Sequence, residues 1–265
     1  MTNQKNAYLF YKHSDDIDSK LEEVKKLGRK YDFKLVDHPS EASIIASIGG
    51  DGAFLQAVRK THFREDCLYI GVNDDSVGFY TDFHLDNLER IELGMQSELI
   101  EVLRYPTLEV TIDGMKSFHC LNEFSIRSNI IKTFVIDVHI DGLYFETFRG
   151  DGLVVSTPTG STAYNKSLGG AVVDPKLKAM QLTEIASVNN SQYRTLGAPL
   201  LLSKGRELVL KIVQDGNDHP IIGLDNEAMS IRHSHEVRIK VSDKEIKTLR
   251  MKDNLFLHKV KRSFL

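Results

Sequence analysis

The segment Gly49-Gly50-Asp51-Gly52 contains the residue types best suited to chemistry in this sequence. It follows an apolar, β-branched run at 44–48 and precedes apolar residues at helical spacing over 53–60, which predicts a turn between a buried strand and a helix. Backbone N–H groups at a helix start attract phosphate, and glycine lets a ligand approach the backbone. A carboxylate among them repels phosphate unless it binds a metal or takes a proton. Asp51 is therefore a candidate for either role, although an ordinary Asp-Gly turn explains the segment equally well.

A second candidate segment, residues 148–170, is dense in glycine and in small hydroxyl residues. A predicted strand runs into Thr157-Pro-Thr-Gly-Ser-Thr-Ala-Tyr164, and a helix is predicted to begin near Ser161. Hydroxyl groups and free backbone amides suit a polar ligand such as a ribose or a phosphate, and Tyr164 could stack on a flat ring. A helix start capped by Thr159 or Ser161 explains half of the pattern, but a cap needs fewer glycines and hydroxyls than this loop contains.

The pair Asn122-Glu123 is a third candidate, because it interrupts the apolar pattern of a predicted strand. At a β-bulge both side chains could face a cleft. Without further evidence an exposed turn is the favoured interpretation of this pair.

Composition limits the classes of function. With 265 residues, 41% of them hydrophobic, the chain can bury a substantial core. A formal net charge of -3 gives no electrostatic case for binding nucleic acid or an anionic membrane. Cys67 and Cys120 are far apart in the sequence and indicate neither a disulfide framework nor a zinc site. The charged residues Lys259, Lys261 and Arg262 are predicted to lie on a solvated face. Because we find no signal-peptide pattern and no run of about 20 apolar residues, we expect a soluble, cytoplasmic protein.

The first hundred residues alternate between predicted strands and helices. This alternation predicts an α/β domain with a parallel sheet over residues 1–100. Ligands of such sheets bind beyond the carboxyl ends of the strands, and Asp51 is predicted to lie there.

From residue 101 to 244 the spacing of apolar residues is mostly two, which predicts a second, all-β-rich domain. Asp-Gly pairs at 113–114, 141–142 and 215–216 are typical of hairpin turns. Helical stretches are predicted within 161–191. The boundary between the domains is predicted near residue 100.

Taken together, the chain resembles the NAD kinases from residue 44 to about residue 227. The resemblance rests on four motifs in the family's order: Gly49-Gly50-Asp51-Gly52, Asn122-Glu123, Gly150-Asp151-Gly152 and Thr157-Pro-Thr-Gly-Ser-Thr-Ala-Tyr164. The first motif is shared with lipid kinases and phosphofructokinases and indicates only the superfamily, whereas the last is far more specific. Tyr193 and Leu196-Gly-Ala-Pro199 are also similar to this family, and the short Gram-positive bacterial type is the most similar.

The resemblance implies an α/β domain over 1–100, with a tail of about 245–265 packing back on it, and an all-β-rich NAD-binding domain over 101–244. It implies an enzyme that transfers a phosphoryl group from ATP, or from polyphosphate, to the 2′-hydroxyl of the adenosine ribose of NAD, giving NADP. A divalent metal cation, Mg²⁺, is expected on the donor phosphates, and no residue is assigned as a metal ligand. A homo-oligomer, either a dimer or a tetramer, is expected.

The same resemblance assigns the site residues by motif match. Asp51 would accept the proton of the hydroxyl, and Asn122 and Glu123 would bind the ribose diol or the adenine end. The full set of expected NAD-binding residues is Asp51, Gly52, Asn122, Glu123, Arg149, Asp151, Thr162, Ala163, Tyr164, Asn165, Lys166, Ser167 and Ala186.

Three positions depart from the usual family pattern. Ala53 replaces a frequent hydroxyl residue, which would remove one phosphate or metal-shell contact. Asp75 replaces a common glycine and Asn226 the glycine of a frequent Asp-Gly-Gln, which affects donor preference and the shape of the pocket. Two alternatives stay open. A lipid kinase of the same superfamily would need a membrane-binding stretch, which the sequence does not show, and a non-catalytic nucleotide-binding regulator has no reason to retain Asp51.

Overall fold

The computed structural model describes residues 5–74, 78–96, 98–213 and 219–265. The chain divides into two compact units, residues 1–104 with 246–265 and residues 105–245. The strands are β1 (Lys5–Phe10), β2 (Phe33–Leu35), β3 (Ile44–Ile48), β4 (Leu68–Asn73), β5 (Thr81–His84), β6 (Ile100–Ile112), β7 (Phe118–Cys120), β8 (Glu123–Arg127), β9 (Phe134–Ile140), β10 (Leu143–Gly150), β11 (Gly152–Ser156), β12 (Ala179–Ile185), β13 (Leu200–Ser203), β14 (Glu207–Ile212), β15 (Ile221–Leu224), β16 (Glu227–Ser230) and β17 (Glu236–Met251). The helices are α1 (Asp15–Lys30), α2 (Asp51–Lys60), α3 (Leu88–Met95), α4 (Tyr164–Ser167) and α5 (Phe256–Phe264).

The first unit contains a parallel sheet in the order β2-β1-β3-β4. The carboxyl half of β4 also pairs with β5 in parallel, and Tyr69 on β4 is the register partner of Thr248 on β17. The centre of this sheet is apolar and β-branched, as expected for strands that are covered on both faces. Its topology places the turn after β3 at the carboxyl edge of the sheet, and Asp51 lies there.

Helices α1 and α3 cover one face of this sheet. The side chain of Ser14 caps α1 by accepting the N–H of Ile17, at 3.3 Å. Leu21 on α1 and Ile91 on α3 join the core cluster that the sheet contributes through Ile48 and Val72. Burial of this apolar stripe, more than helix propensity, stabilises helices of these lengths.

The second unit is built from antiparallel strands. One sheet has the order β13-β12-β11-β8-β15-β16, and β9 pairs with both β10 and β14, with β14 in turn pairing with the first half of β17. Side chains from all these strands form a single core, in which Phe124, Phe134 and Phe148 are fully buried. This arrangement confirms the predicted fold class, an α/β region followed by a β-rich one.

Two of the three predicted Asp-Gly hairpin turns are present. Asp113 and Gly114, and likewise Asp141 and Gly142, have positive φ, as a two-residue turn between antiparallel strands requires. The pair at 215–216 lies outside the described residues.

The prediction of helical stretches within 161–191 is largely wrong. This part of the chain contains a 3₁₀ turn at Thr159–Thr162 and the short helix α4, and Ala179–Ile185 is a strand. β12 lies inside its sheet, between β11 and β13, and side chains on both of its faces are buried, so the alternation that would have marked it as a strand is absent. In the part of the chain that the structure describes, no helix has the length and apolar character needed to span a membrane.

Candidate active site

Asp51 is the first residue of α2, directly after the turn that follows β3. Its side chain is partly exposed. The Oδ2 atom accepts the N–H of Phe79 at 2.8 Å, and the Oδ1 atom accepts the N–H of Tyr80 at 2.9 Å. Two backbone donors therefore fix the orientation of the carboxylate, and its remaining lone pairs are available to a ligand.

Gly78 makes this arrangement possible. A Cβ at residue 78 would lie 2.1 Å from Oδ1 of Asp51, which is too close for a carbon and an oxygen that are not bonded to each other. The segment is held from the other side by Tyr80, whose ring stacks on Phe54 of α2 with centroids 4.8 Å apart. Hence Asp51 and the segment that binds it are joined by both hydrogen bonds and ring packing.

The glycines beside Asp51 differ in what surrounds them. Gly49 has a φ of 126°, and a Cβ there would meet the Cβ of Ala53 at 2.9 Å, so the fold itself requires glycine. At Gly50 and Gly52 a Cβ would meet no atom within 4 Å. These two backbones border open space at the start of a ten-residue helix, where N–H groups favour phosphate.

Asn122 and Glu123 lie at the start of β8, and both are buried, each with 8% of its surface exposed. The favoured interpretation of this pair as an exposed turn is therefore wrong. The reason is Asp225, whose carboxylate accepts the N–H groups of Leu121, Asn122 and Glu123 at 3.0, 2.6 and 3.2 Å. Such a carboxylate satisfies the backbone of a buried polar segment, which could not otherwise leave water.

Glu123 has an unusual environment. Burial, and secondarily the charge of Asp225, raises the pKa of its carboxyl from 4.5 to about 8. Among the described residues its Oε2 atom has no hydrogen-bond partner, and the same holds for Oγ of Ser156. Ser156 is the register partner of Glu123 on β11, so the two side chains share one face of the sheet. Two buried polar groups without partners on one face are a signal for a polar ligand or water.

The loop after β11 packs directly on this pair. Oγ1 of Thr157 and Oγ1 of Thr159 donate to the carbonyl of Leu121 at 2.6 and 3.1 Å. A Cβ at Gly160 would lie 2.1 Å from the carbonyl oxygen of Asn122, so this motif needs glycine for close approach. The structure thus brings the second and third candidate segments together.

Asn165 supports the loop from inside. It is fully buried, its Nδ2 donates to the carbonyl of Ser161 at 3.3 Å, and its Oδ1 accepts the hydroxyl of Thr183 at 2.6 Å. The neighbouring residues that are also expected to bind NAD have accessible surface: Thr162, Ala163, Tyr164, Lys166 and Ser167.

The remaining predicted residues form a separate group around the connection between β10 and β11. The guanidinium of Arg149 stacks over the ring of Tyr193 at 4.2 Å, Asp151 is exposed, and Ala186 has a φ of 47°. Gly150 lies close to Ala186, because a Cβ there would be 2.8 Å from the carbonyl oxygen of Ala186. We call Arg149, Asp151 and Ala186 the β10–β11 group.

This group and the Asn122-Glu123 pair lie at opposite ends of β11. Gly152, next to Asp151, starts the strand, and Ser156, opposite Glu123, ends it. At about 3.3 Å per residue the two ends are roughly 13 Å apart. The predicted NAD-binding residues of the second unit therefore form two groups, one at each end of β11.

The described residues contain no group of three or more His, Cys, Asp or Glu side chains that could hold a metal ion. Of the three departures from the family pattern, Ala53 is on the first turn of α2, and Asn226 lies in the turn between β15 and β16. Asp75 lies outside the described residues.

Comparisons with known proteins identify the family. A model of the ATP-NAD kinase C-terminal domain matches residues 121–251. The chain is 57% identical to NAD kinase 2 of Halalkalibacterium halodurans and 57% identical to NAD kinase 2 of Bacillus subtilis, and both comparisons cover the whole of each chain. It is 58% identical to NAD kinase 2 of Bacillus licheniformis, again over the full length of both.

Two solved structures have a similar fold. One is a yeast NADH kinase complexed with NADH, with a TM-score of 0.81 and 20% identity, covering 98% of this chain and 87% of that one. The other is an NAD kinase from Archaeoglobus fulgidus in complex with ATP, with a TM-score of 0.76 and 23% identity, covering 97% of each chain. At these identities the likeness concerns the fold.

The full-length relatives define a phosphotransferase enzyme that uses a nucleotide. The chain belongs to the NAD kinase family. Its reaction is the phosphorylation of NAD to NADP, and neither a lipid kinase nor a non-catalytic regulator is favoured by these relatives.

Proposed function

We propose that this enzyme transfers the terminal phosphoryl group of ATP to the 2′-hydroxyl of the adenosine ribose of NAD, with Asp51 orienting the hydroxyl and accepting its proton. The observation that carries the proposal is the Asp51 carboxylate at the start of α2, held by the N–H groups of Phe79 and Tyr80. The ribose oxygen forms a bond to the γ-phosphorus, the bond from that phosphorus to the leaving oxygen of ADP breaks, and the proton passes to Asp51. Because transfer proceeds through a loose transition state, correct orientation of the hydroxyl matters at least as much as the basicity of the carboxylate.

Donor phosphates bind, in this proposal, at the backbone of Gly50 and Gly52. Both glycines border open space at the start of α2, where the helix dipole and the backbone N–H groups favour an anion. When bound with the donor phosphates, a divalent cation such as Mg²⁺ would supply positive charge that stabilises the transferring phosphoryl group. Mg²⁺ keeps several waters and uses one or two carboxylates besides substrate phosphates, so it does not need a group of three acidic side chains, and the described residues contain none.

The adenosine end of NAD is assigned to Asn122 and Glu123. Near neutral pH the raised pKa keeps Glu123 largely protonated in the ligand-free protein, so its carboxyl can donate a hydrogen bond as well as accept one. Oγ of Ser156 faces the same side and would add a further polar contact. We assign the accessible residues of the loop after β11, Thr162, Ala163, Tyr164, Lys166 and Ser167, to the same nucleotide. Asn165 holds this loop in shape.

The β10–β11 group is assigned to NAD bound on a second copy of the chain. The separation from Glu123 along β11 means that the two groups of residues contact different parts of a nucleotide, which is compatible with a site shared between two copies. This assignment requires a homo-oligomer in which each nucleotide contacts two copies of the chain. A mixture of Asp51→Asn and Asp151→Ala chains, unfolded together and refolded, tests it. Activity well above that of either variant is expected, whereas no recovery would place the whole site in one chain.

The role of Asp51 is tested by Asp51→Asn, which keeps the size of the side chain but cannot accept a proton near neutral pH. We expect kcat to fall by on the order of 10² or more while the Kd for NAD stays within a few-fold of wild type. Asp15→Asn is the matched control, since Asp15 also begins a helix but is exposed. A coupled assay with a NADP-specific dehydrogenase measures turnover with ATP or polyphosphate and Mg²⁺. A folded Asp51→Asn enzyme with nearly unchanged kcat would contradict the proposal.

A further inference from the structure

The helix α5 carries a buried lysine. Only 3% of Lys259 is exposed, so its predicted place on a solvated face is wrong. Its Nζ atom lies 2.8 Å from the carbonyl oxygen of Phe79, 3.3 Å from that of Thr81 and 2.5 Å from Oδ1 of Asp82. An ammonium has three protons to donate, and here each of them has an acceptor.

The segment that Lys259 binds is the one that holds Asp51. The peptide groups around Phe79 are engaged on both sides: the N–H donates to Oδ2 of Asp51 and the carbonyl accepts from Lys259. The next N–H, that of Tyr80, donates to Oδ1 of Asp51. A single stretch of backbone therefore connects the ammonium of Lys259 to the carboxylate of Asp51.

Packing of α5 reinforces the connection. The ring of Phe79 lies 6.1 Å from the ring of Phe256 and 5.8 Å from that of Phe264, measured between centroids. Asp82, the ion-pair partner of Lys259, also accepts the N–H of Met251 and Nδ2 of Asn254, each at 2.8 Å. The lysine is thus one member of a fully satisfied network that attaches α5 to β5.

Charge alone does not explain why a lysine stands here. Burial lowers the pKa of Lys259, while the carboxylates of Asp82 and Asp51 act in the opposite direction. Placing an ammonium in this position is costly, and replacing a buried ion pair with apolar groups is often neutral or stabilising. A role in orienting backbone carbonyls, which an apolar side chain cannot perform, accounts for the lysine.

We propose that Lys259 is a positioning residue for phosphoryl transfer, fixing the carbonyls of Phe79 and Thr81 so that the N–H groups of Phe79 and Tyr80 hold the carboxylate of Asp51 in its reactive orientation. This inference rests on the proposed role of Asp51. Misplacement of a reacting group by a fraction of an ångström lowers the rate of the chemical step more than it lowers substrate affinity.

The test is a double-mutant cycle. Lys259→Met, of similar length without the charge, is expected to lower kcat about tenfold, with the KM for NAD within threefold of wild type. In the Asp51→Asn background the same substitution is expected to change kcat less than twofold, because Lys259 acts through Asp51. If Lys259 were needed only for stability, its substitution would lower kcat by equal factors in the two backgrounds, and that outcome overturns the inference. Lys259→Arg keeps a cationic donor and is expected to recover part of kcat.

Lys252→Met is the matched control. Lys252 is an exposed lysine that follows β17, and its Nζ donates to the carbonyl of Glu98 at 2.8 Å. We expect the kcat of the Lys252→Met enzyme to equal that of the wild type. Thermal melts establish that each variant is folded. If Lys259→Met unfolds because Asp82 is left without its partner, the variant Asp82→Asn/Lys259→Met, which removes both charges, takes its place in the cycle.

The two proposals fail in different ways. A nearly unchanged kcat for Asp51→Asn contradicts the proposed function and removes the basis of this inference. A low kcat for Asp51→Asn together with an unchanged kcat for folded Lys259→Met overturns the inference alone.

Discussion

Gly78 lies against the carboxylate of Asp51 so closely that a single added carbon would stand 2.1 Å from Oδ1. The same segment donates two N–H groups to that carboxylate. The position of the proposed proton acceptor therefore depends on the absence of a side chain at residue 78, in addition to the glycines of its own motif.

Gly78→Ala is expected to displace Asp51, since the new methyl group and the carboxylate oxygen cannot occupy the positions they now have. We expect kcat to fall at least tenfold and the free energy of unfolding to fall by about 1–3 kcal/mol. Steady-state kinetics and urea unfolding measure the two effects. Gly28→Ala on α1 is the control, because its methyl group would make only an ordinary contact with Phe33 at 3.7 Å. Wild-type activity of Gly78→Ala would show that the Asp51 orientation described above is not needed.

Gly52→Ala is expected to change the binding of ATP and to leave stability nearly unchanged. A methyl group at residue 52 meets no protein atom within 4 Å, so stability should stay within about 0.5 kcal/mol of wild type. The methyl group would instead enter the space assigned to donor phosphates, and we expect the KM for ATP to rise several-fold. Parallel titrations of ATP and NAD separate the two substrates. An unchanged KM for ATP, with the protein folded, would remove the phosphate site from this turn.

Glu123 gives the stability of the protein a defined pH dependence. Its pKa is about 8 in the folded chain and near 4.5 when unperturbed. Between these values the unfolded chain releases a proton that the folded chain keeps, so the free energy of unfolding falls as pH rises through this window and levels off above it. Each pKa unit corresponds to about 1.4 kcal/mol, so the loss is on the order of a few kcal/mol.

Glu123→Gln should remove this dependence, because the amide stays neutral at every pH. We expect the urea midpoint of the variant, relative to that of the wild type, to increase between pH 5 and pH 8.5. Glu41→Gln, at an exposed position of the first unit, is the control. Parallel pH curves for Glu123→Gln and the wild type would show that Glu123 is not buried as described.

Asp225→Asn tests how the buried pair is held. Asp225 has a φ of 54°, which asparagine tolerates. The carboxylate uses both of its oxygens to accept three N–H groups, whereas an amide has only one oxygen. We expect the Kd for NAD to rise about fivefold or more, and the pKa of Glu123 to move toward its ordinary value because the Asp225 charge is gone. Calorimetric titration with NAD at several pH values measures both.

The control for this substitution is Asp113→Asn. Asp113 also has a positive φ, 49°, and also accepts two backbone N–H groups, those of His235 and Glu236 at 2.9 and 2.8 Å. It lies at a hairpin turn without predicted site residues, so NAD affinity should not change. Equal effects of the two substitutions would mean that Asp225 contributes only to stability.

The sequence was sufficient for elements whose cause is local. The apolar run at 44–48 predicts β3 with the bounds observed, and Ser14, a residue type that favours helix starts, caps α1. Both signals act within a few residues, through side-chain burial and a hydroxyl that accepts a nearby N–H. The Asp-Gly turn at 141–142 belongs to the same class, since its positive φ angles are a property of the two residues themselves.

Residues whose environment comes from distant segments could not be placed in this way. Asn122 and Glu123 are polar, and they are buried only because Asp225, 103 residues after Asn122, satisfies their backbone. Ser156 gave no signal in the sequence, since its relation to Glu123 depends on the register between β8 and β11. Lys259 resembles its exposed neighbours in sequence, and only the contact with Phe79 distinguishes it.

Residues 246–265 belong to the first unit, although the whole of the second unit precedes them in the chain. During translation, the Gly49–Gly52 turn leaves the ribosome long before Thr248 and Lys259 have been synthesised. Until then Tyr69 has no strand partner on that side, and the carbonyl of Phe79 has no ammonium to bind. A nascent or prematurely terminated chain thus contains the acidic residue of the motif without the lysine that orients its surroundings. In the proposal made for Lys259, full orientation of the Asp51 carboxylate is therefore reached only after residue 259 has been synthesised.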